Sequence, residues 1–391
     1  MSRYHSYLLS SAKIISSFVG AEPFSAFIKR YFAANKKFGS KDRKMVTHIC
    51  FCYFRLGSSF ATSAVEERLL IGLFLCSSTS NEVLQNLKPQ WNEQVHVSIH
   101  EKLKILALPF FATEVFPSSN ELSKELTADE FALSHFTQPD LFLRIRPGQK
   151  DKVLTLLKTA ALEFKMLNEV CMALPNTTKV EEIIKLNKEA VVQDYSSQKV
   201  GELLHLFSNN SQQSPLHVWD CCAASGGKSI MAYDLLPNIE LTVSDIRDAI
   251  LVNLQKRFAE AGIKKYNSLV LDLSIEQYKR AVHSFQLIIA DVPCTGSGTW
   301  GRTPENLSFF KKSKIEEYAL LQKKMIQNVV PSLQQNGYLL YITCSVFEKE
   351  NEEVVAFIQK EFRFQLIEMK YLKGYGVKAD TMFAALLRKS A

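Results

Sequence analysis

The chain has 391 residues, of which 47% are apolar and 22% charged, with a formal net charge of +7. That length allows two or three domains around at least one large core, and the supply of Leu, Ile, Val and Phe excludes a wholly disordered chain. No apolar run approaches the roughly 18 residues that cross a bilayer, and the N-terminus lacks a charged-then-apolar leader, so neither a membrane nor a secreted protein is expected.

Residues 1 to about 130 read as helical, with apolar residues recurring at three- and four-residue spacing through Tyr7 to Phe18 and Phe24 to Phe32. Residues 1–60 also hold ten basic side chains against Glu22 and Asp42, including the cluster Lys36, Lys37, Lys41, Arg43 and Lys44, whereas the rest of the chain is close to neutral. A basic segment on a near-neutral body points to a polyanion partner; a solvated helix face is the alternative. Around Leu141 the texture changes. Leu141–Arg146 alternates like a strand and ends at Pro147-Gly148, and Lys150 to Phe164 is an amphipathic helix. This small α+β unit continues to about Leu206, and the polar stretch Ser208 to Pro215 reads as a linker.

From Leu216 onward strands and helices alternate. Strands are expected at Leu216–Cys222, Glu240–Ile246, Ser268–Leu273, Phe285–Val292, Gly337–Ser345, Phe364–Lys370 and Met382–Arg388, with helices such as Arg247–Ala261 and Lys314–Leu333 between them. Near-continuous apolar strands separated by helices predict a doubly wound α/β sheet, which binds its ligand at the carboxyl ends of its strands.

The first strand runs through Asp220-Cys221-Cys222-Ala223-Ala224-Ser225-Gly226-Gly227-Lys228 into a helix. Small residues let backbone approach a ligand, and a helix N-terminus offers free N–H groups. A P-loop is excluded because Cys222 stands where its first glycine belongs, and the dinucleotide pattern G-x-G-x-x-G is absent. Asp245 lies 19 residues beyond Gly226, where such sheets place a carboxylate on a ribose hydroxyl. An adenosyl group held without a phosphate cradle points to S-adenosylmethionine; a plain structural turn is the alternative. Asp272, at the end of the third strand, is a candidate for the adenine or its sugar, or else a helix cap.

Eight cysteines are present, with no C-x-x-C pair, and no histidine at a zinc-like spacing, so no metal site is expected. His96 and His100 are four apart but lack the glutamate of H-E-x-x-H. Most of these thiols read as small core residues, and adjacent Cys221 and Cys222 are a poor disulfide. Cys294, after Ala290-Asp291-Val292-Pro293, and Cys344, in Ile342-Thr343-Cys344-Ser345, instead emerge at two strand ends in the expected ligand crevice. A thiolate beside a methyl donor suits methylation of an unreactive pyrimidine carbon. Its addition to carbon 6 of cytosine makes carbon 5 nucleophilic. Asp291 is placed to favour that addition by hydrogen bonding near ring nitrogen 3.

The strings DCCAASGGKS, SDIR, LDL, ADVPCTGSGT and ITCS, in that order, resemble the Sun/Nop (RsmB-like, Fmu) RNA cytosine-5 methyltransferases over residues 216–391. Upstream, VQDYSSQ (Val192–Gln198) is similar to the stretch that precedes their catalytic domain, and Leu141–Arg146 to the start of their small RNA-recognition-like subdomain. The segment Phe38 to Arg43 resembles their NusB-like RNA-binding domain. The resemblance implies a helical NusB-like domain at 1–135, a small α+β subdomain at 136–212 and a Rossmann-like S-adenosylmethionine-dependent methyltransferase domain at 213–391. It makes Cys344 the nucleophile and Cys294 the group that assists product release. Cys222, Ala223, Ala224, Ser225, Gly226, Gly227 and Lys228 would wrap the cofactor, with Asp245, Asp272 and Asp291 as further contacts, and Lys228 also facing the target base. The family usually has proline where Ser225 stands. Serine adds an N–H and frees φ, which puts cofactor affinity in question.

DNA cytosine methyltransferases use a Pro-Cys nucleophile, and a second cysteine at the next strand end favours RNA. A non-catalytic RNA-binding factor on the same fold would be expected to lose Cys344 or Asp291, and both are present. Once an RNA enzyme is accepted, the Lys36–Lys44 cluster becomes a phosphate contact. Trp300 and Arg302 are then candidates for stacking on or clamping the target strand, with plain packing as the other reading of Trp300. The expected substrate is ribosomal RNA, with transfer RNA as the alternative, acted on in the cytoplasm by a monomer.

Overall fold

The structure of the chain, a computed structural model, describes residues 2–210, 215–275 and 284–390. The expected linker lies partly outside these residues, and the helix Gly201–Asn210 runs into its first positions. His283 also lies outside them. The chain forms two compact units, Met1–Gln138 with Thr299–Lys312, and Pro139–Gly298 with Ser313–Ala391. Thr299–Lys312, inside the span 213–391 expected to form the catalytic domain, groups with the helices instead.

In the first unit the helices Arg3–Ser17, Phe24–Ala34, Ser40–Phe54 and Val65–Cys76 surround a core that includes Ile14, Phe24, Ile49 and Phe54. The fourth helix is buried from Arg68 to Leu75, consistent with its unbroken apolar run. Thr299–Lys312 is built into this unit by polar and aromatic contacts. Buried Arg55 donates to the carbonyl of Gly301 at 2.8 Å, and Phe309 meets Phe18 with ring centroids 5.2 Å apart. Trp300, 2% exposed, lies between Phe116 and Phe310.

The second unit holds two sheets. The smaller is antiparallel, in the order β2-β3-β1-β4, with β1 Leu141–Ile145, β2 Lys165–Met166, β3 Cys171–Leu174 and β4 Ala190–Val192. The larger has seven strands: β5 Leu216–Asp220, β6 Ile239–Asp245, β7 Tyr266–Val270, β8 Phe285–Asp291, β9 Leu333–Thr343, β10 Phe364–Leu372 and β11 Met382–Lys389. Their order is β10-β11-β9-β8-β5-β6-β7, with β5 parallel to both β6 and β8. The chain therefore moves outward in opposite directions from β5 and β8, and the crevice at their carboxyl ends is the topological switch point where such sheets bind ligands.

One strand departs from the expected parallel arrangement. β11 runs antiparallel to both β9 and β10. Between Leu372 and Met382 the chain makes only a short turn at Tyr375–Val377, too short for the dozen or more residues a parallel crossover needs. Burial of β8 and β11 on both faces still accounts for their apolar sequences.

Candidate active site

The loop after β5 enters the helix Gly227–Leu235 through two left-handed residues, Ala224 at φ 45° and Gly226 at φ 83°. Gly226 also leaves no room for a side chain, since a Cβ there would lie 2.7 Å from Cε1 of the buried Phe258 ring. This curl presents Cys222 and Ala224 to a cavity of about 510 Å³. Of the residues singled out from sequence, the cavity also brings together Asp245, Asp272, Asp291, Cys294 and Cys344.

The other loop residues shape the site without lining that cavity. The Ala223 amide donates to the Ser244 carbonyl at 2.9 Å, which ties the loop to β6. Ser225 faces the other way: Arg257 donates to its carbonyl at 2.8 Å and its hydroxyl at 2.7 Å, and also reaches the Asn187 side chain at 3.0 Å. The serine that replaces the usual proline is thus held by an arginine from the helix Asp248–Ala261.

Three carboxyls mark three strand ends. Asp245 accepts from the Ala224 amide at 3.1 Å and from the Arg247 amide and guanidinium at 2.9–3.1 Å. Burial alone would raise its carboxyl, but the Arg247 contacts hold it below the usual range. All four lone-pair positions are in use, so a ribose would have to displace Arg247, whose side chain is 59% exposed. Asp272 stands two residues past the end of β7 and both lines the cavity and accepts from the Ser274 amide and hydroxyl; the positions of a helix that it could cap, 276–283, lie outside the described residues. Asp220, for which the sequence offers no role, is fully buried at the end of β5 and accepts from Ser229 at 2.6 Å. Burial pushes its carboxyl up to about 7.

β8 and β9 are adjacent, so the loops that follow them bring Cys294 and Cys344 face to face with sulfurs 3.3 Å apart. Gly298 allows this approach. Its amide donates to the Cys344 carbonyl at 2.9 Å, and a Cβ there would fall 1.9 Å from the Thr381 carbonyl oxygen. The hydrogen bond to Cys344 and burial push the Cys294 thiol well above its ordinary value. Either sulfur could donate in this contact.

Behind the thiols, buried Lys228 donates to Asp291 at 3.0 Å and to Ser197 at 2.7 Å. Ser197 in turn accepts from Gln193, which accepts from Arg144 at 2.7 Å. The stretch Val192–Gln198, noticed only by resemblance, thus anchors the lysine. The roles of Ser197 and Arg257 were not legible from sequence, because nothing in local pattern links them to the loops they hold. Trp300 takes the packing alternative given above: its ring is enclosed by Phe116 and Phe310. Arg302 is exposed. Among the described residues no group of three or more His, Cys, Asp or Glu could hold a metal, and no helix is long and apolar enough to cross a membrane.

A seven-stranded sheet with this order, a small-residue turn after its first strand and an acid ending its second defines the catalytic part as a Rossmann-like methyltransferase domain. Residues 206–387 match the family model described as 16S rRNA methyltransferase RsmB/F. That segment is similar to this family, the Sun/Nop group. The ribosomal RNA small subunit methyltransferase B of Yersinia enterocolitica is 29% identical over 192 residues, 47% of this chain and 42% of that protein. The protein of the same name from Serratia proteamaculans is 31% identical over 182 residues, 45% of this chain and 40% of that one. The chain therefore matches less than half the length of these relatives. Among solved structures, PH0851 covers 100% of this chain and 99% of its own at 16% identity and a TM-score of 0.69. A methyltransferase homologue from Pyrococcus horikoshii covers 75% of this chain and 100% of its own at 18% identity and a TM-score of 0.58. At those identities the likeness concerns the fold alone.

Proposed function

We propose that this chain methylates carbon 5 of a cytosine in RNA, with S-adenosylmethionine as methyl donor, and that small-subunit ribosomal RNA is its substrate, with transfer RNA as the alternative. The observation that carries the reading is the pair of facing thiols, 3.3 Å apart, at the mouth of a small-molecule cavity. A volume of about 510 Å³ is within the range of roughly 300–1,000 Å³ usual for such sites. The cofactor fits the chemistry of its lining: small Ala224, apolar Ile246 and Leu273 for a flat ring, and Asp245 and Asp272 for hydroxyls. Bound there, S-adenosylmethionine supplies a methyl group on a cationic sulfonium.

The chain's own residues do the rest. The Cys344 thiolate adds to carbon 6, forming a C–S bond and shifting electron density to carbon 5 and ring nitrogen 3. Lys228 and Asp291, paired at 3.0 Å, act as one unit that provides a proton at nitrogen 3: the lysine is the source and the carboxylate faces the base. After methylation a base takes the carbon 5 proton, the C–S bond breaks to return the thiolate, and the proton on nitrogen 3 goes back to the Lys228–Asp291 unit. Cys294, whose sulfur adjoins that bond, assists this release. A cytosine in a stem must leave its stack to reach Cys344, which favours a loop or an assembly intermediate. Exposed Lys36, Lys37, Lys41 and Lys44 would hold phosphates without reading sequence. The domain limits 1–135, 136–212 and 213–391, with Thr299–Lys312 set apart from the last and grouped with the helices, and a cytoplasmic monomer, belong to the same proposal.

The test is Cys294→Ala with RNA and methyl donor. It should leave a protein–RNA adduct on a denaturing gel that Cys344→Ala does not form. No adduct from Cys294→Ala, with the fold intact, would remove the two-cysteine mechanism.

A further inference from the structure

The residues immediately after the two site cysteines, Thr295 and Ser345, both donate to one buried carboxylate, that of Glu350. It receives the Thr295 amide at 2.9 Å, the Thr295 hydroxyl at 2.5 Å and the Ser345 hydroxyl at 2.5 Å. A fourth donor is Gln322 at 3.0 Å, which also donates to the Pro293 carbonyl just before Cys294. Glu350 is fully buried, and Tyr341 fixes its backbone by donating to its carbonyl at 2.6 Å. Two of these partners, the N–H groups of Thr295 and Gln322, can only donate, and the two hydroxyls can donate as well, so the four together suit an ionised carboxylate.

We propose that Glu350 is a positioning residue that ties the two cysteine loops together and, through its charge, keeps the shared proton on Cys294, so that Cys344 is the nucleophile. This rests on the cysteine roles proposed above. A symmetric pair of thiols has no reason to divide its labour, and the asymmetry must come from their surroundings. The titratable groups acting on Cys294 are Cys344 on the β9 end, Glu350 in the turn after it and the Tyr341 phenol within β9; the facing helix Ser313–Val329 contributes neutral Gln322. A negative charge beside Cys294 disfavours a second one on its sulfur. Burial pushes the Glu350 carboxyl up, and its donors oppose this.

The experiment is alkylation of the full chain by iodoacetamide between pH 6 and 10, with each cysteine followed by peptide mass spectrometry, in wild type, Glu350→Gln and Glu350→Asp. Cys344 should react faster than Cys294 in wild type. Glu350→Gln should speed Cys294 about tenfold at pH 8, the effect of lowering its pKa by one unit, while Glu350→Asp retains the charge and keeps Cys294 slow. Fully buried Cys50 and Cys171 report unfolding in the same sample. Should they react in Glu350→Gln, Thr295→Val removes one of the four donors and should speed Cys294 in the same direction, by about threefold. Cys294 unchanged in both variants would overturn the role of Glu350, as would an equal rise at both sulfurs with Cys50 still protected. Cys294 outpacing Cys344 in wild type would instead overturn the cysteine roles themselves.

Discussion

Gly226 and Gly262 share a left-handed backbone, at φ 83° and 78°, but differ in what surrounds them. A Cβ on Gly262 meets nothing within 4 Å, whereas one on Gly226 lies 2.7 Å from Phe258 Cε1 and 3.1 Å from Leu254 Cγ, both in residues with no exposure. Alanine at either position pays about 1–2 kcal/mol for the left-handed conformation, offset in part by ~0.4–1 kcal/mol from a less flexible unfolded chain. Only Gly226→Ala adds the overpacking of a closed core, about 1–3 kcal/mol more. Gly226→Ala should therefore be the more destabilising by that margin, read as a lower urea midpoint at unchanged slope. It should also weaken binding of S-adenosylhomocysteine by calorimetry, because relief of the clash must move the loop that carries Cys222 and Ala224. Gly262→Ala, at the far end of the helix Asp248–Ala261, should bind as wild type does. Equal costs for the two, or intact ligand binding by Gly226→Ala, would refute the account of how the loop is shaped.

Asp220 supplies a pH test. Its carboxyl titrates at about 7 in the folded chain against an ordinary 3.8, so between those values the native state holds a proton that the unfolded state has released. Stability from this group is complete below about pH 4 and is lost as pH rises through 7, at about 1.4 kcal/mol per unit and on the order of 4 kcal/mol in all. Asp220→Asn should remove that slope from urea unfolding between pH 5 and 7.5, and an unchanged slope would contradict it. Arg247→Ala should free Asp245 and leave ligand affinity at or above wild type; a loss beyond about tenfold would make Arg247 a ligand contact. Trp300→Ala should cost about 3–5 kcal/mol of stability through the cavity it leaves. Little stability change with a large loss of RNA binding would restore the stacking role.

The catalytic sheet was legible because burial on both faces writes itself as apolar runs. The strand ends bearing Asp245, Asp291 and Cys344 fell within a residue or two of their expected places. The direction of β11 was not legible from its composition; it follows from the short connection after β10, which the alternation of strands and helices did not bring out. Partnerships across long separations were invisible. Lys228 with Ser197, Ser225 with Arg257 and Thr295 with Glu350 join segments 31, 32 and 55 positions apart, with no periodicity to announce them. The two readings of Trp300, stacking or packing, stayed open for a related reason: only the long-range grouping of Thr299–Lys312 with the helical unit decides between them.

The most direct measurement is transfer of labelled methyl from S-adenosylmethionine to separated ribosomal RNA, transfer RNA and DNA, followed by identification of the labelled nucleoside. The account predicts 5-methylcytidine in an RNA fraction, abolished by Cys344→Ala. Label in DNA alone, or label in RNA that survives Cys344→Ala, would contradict it.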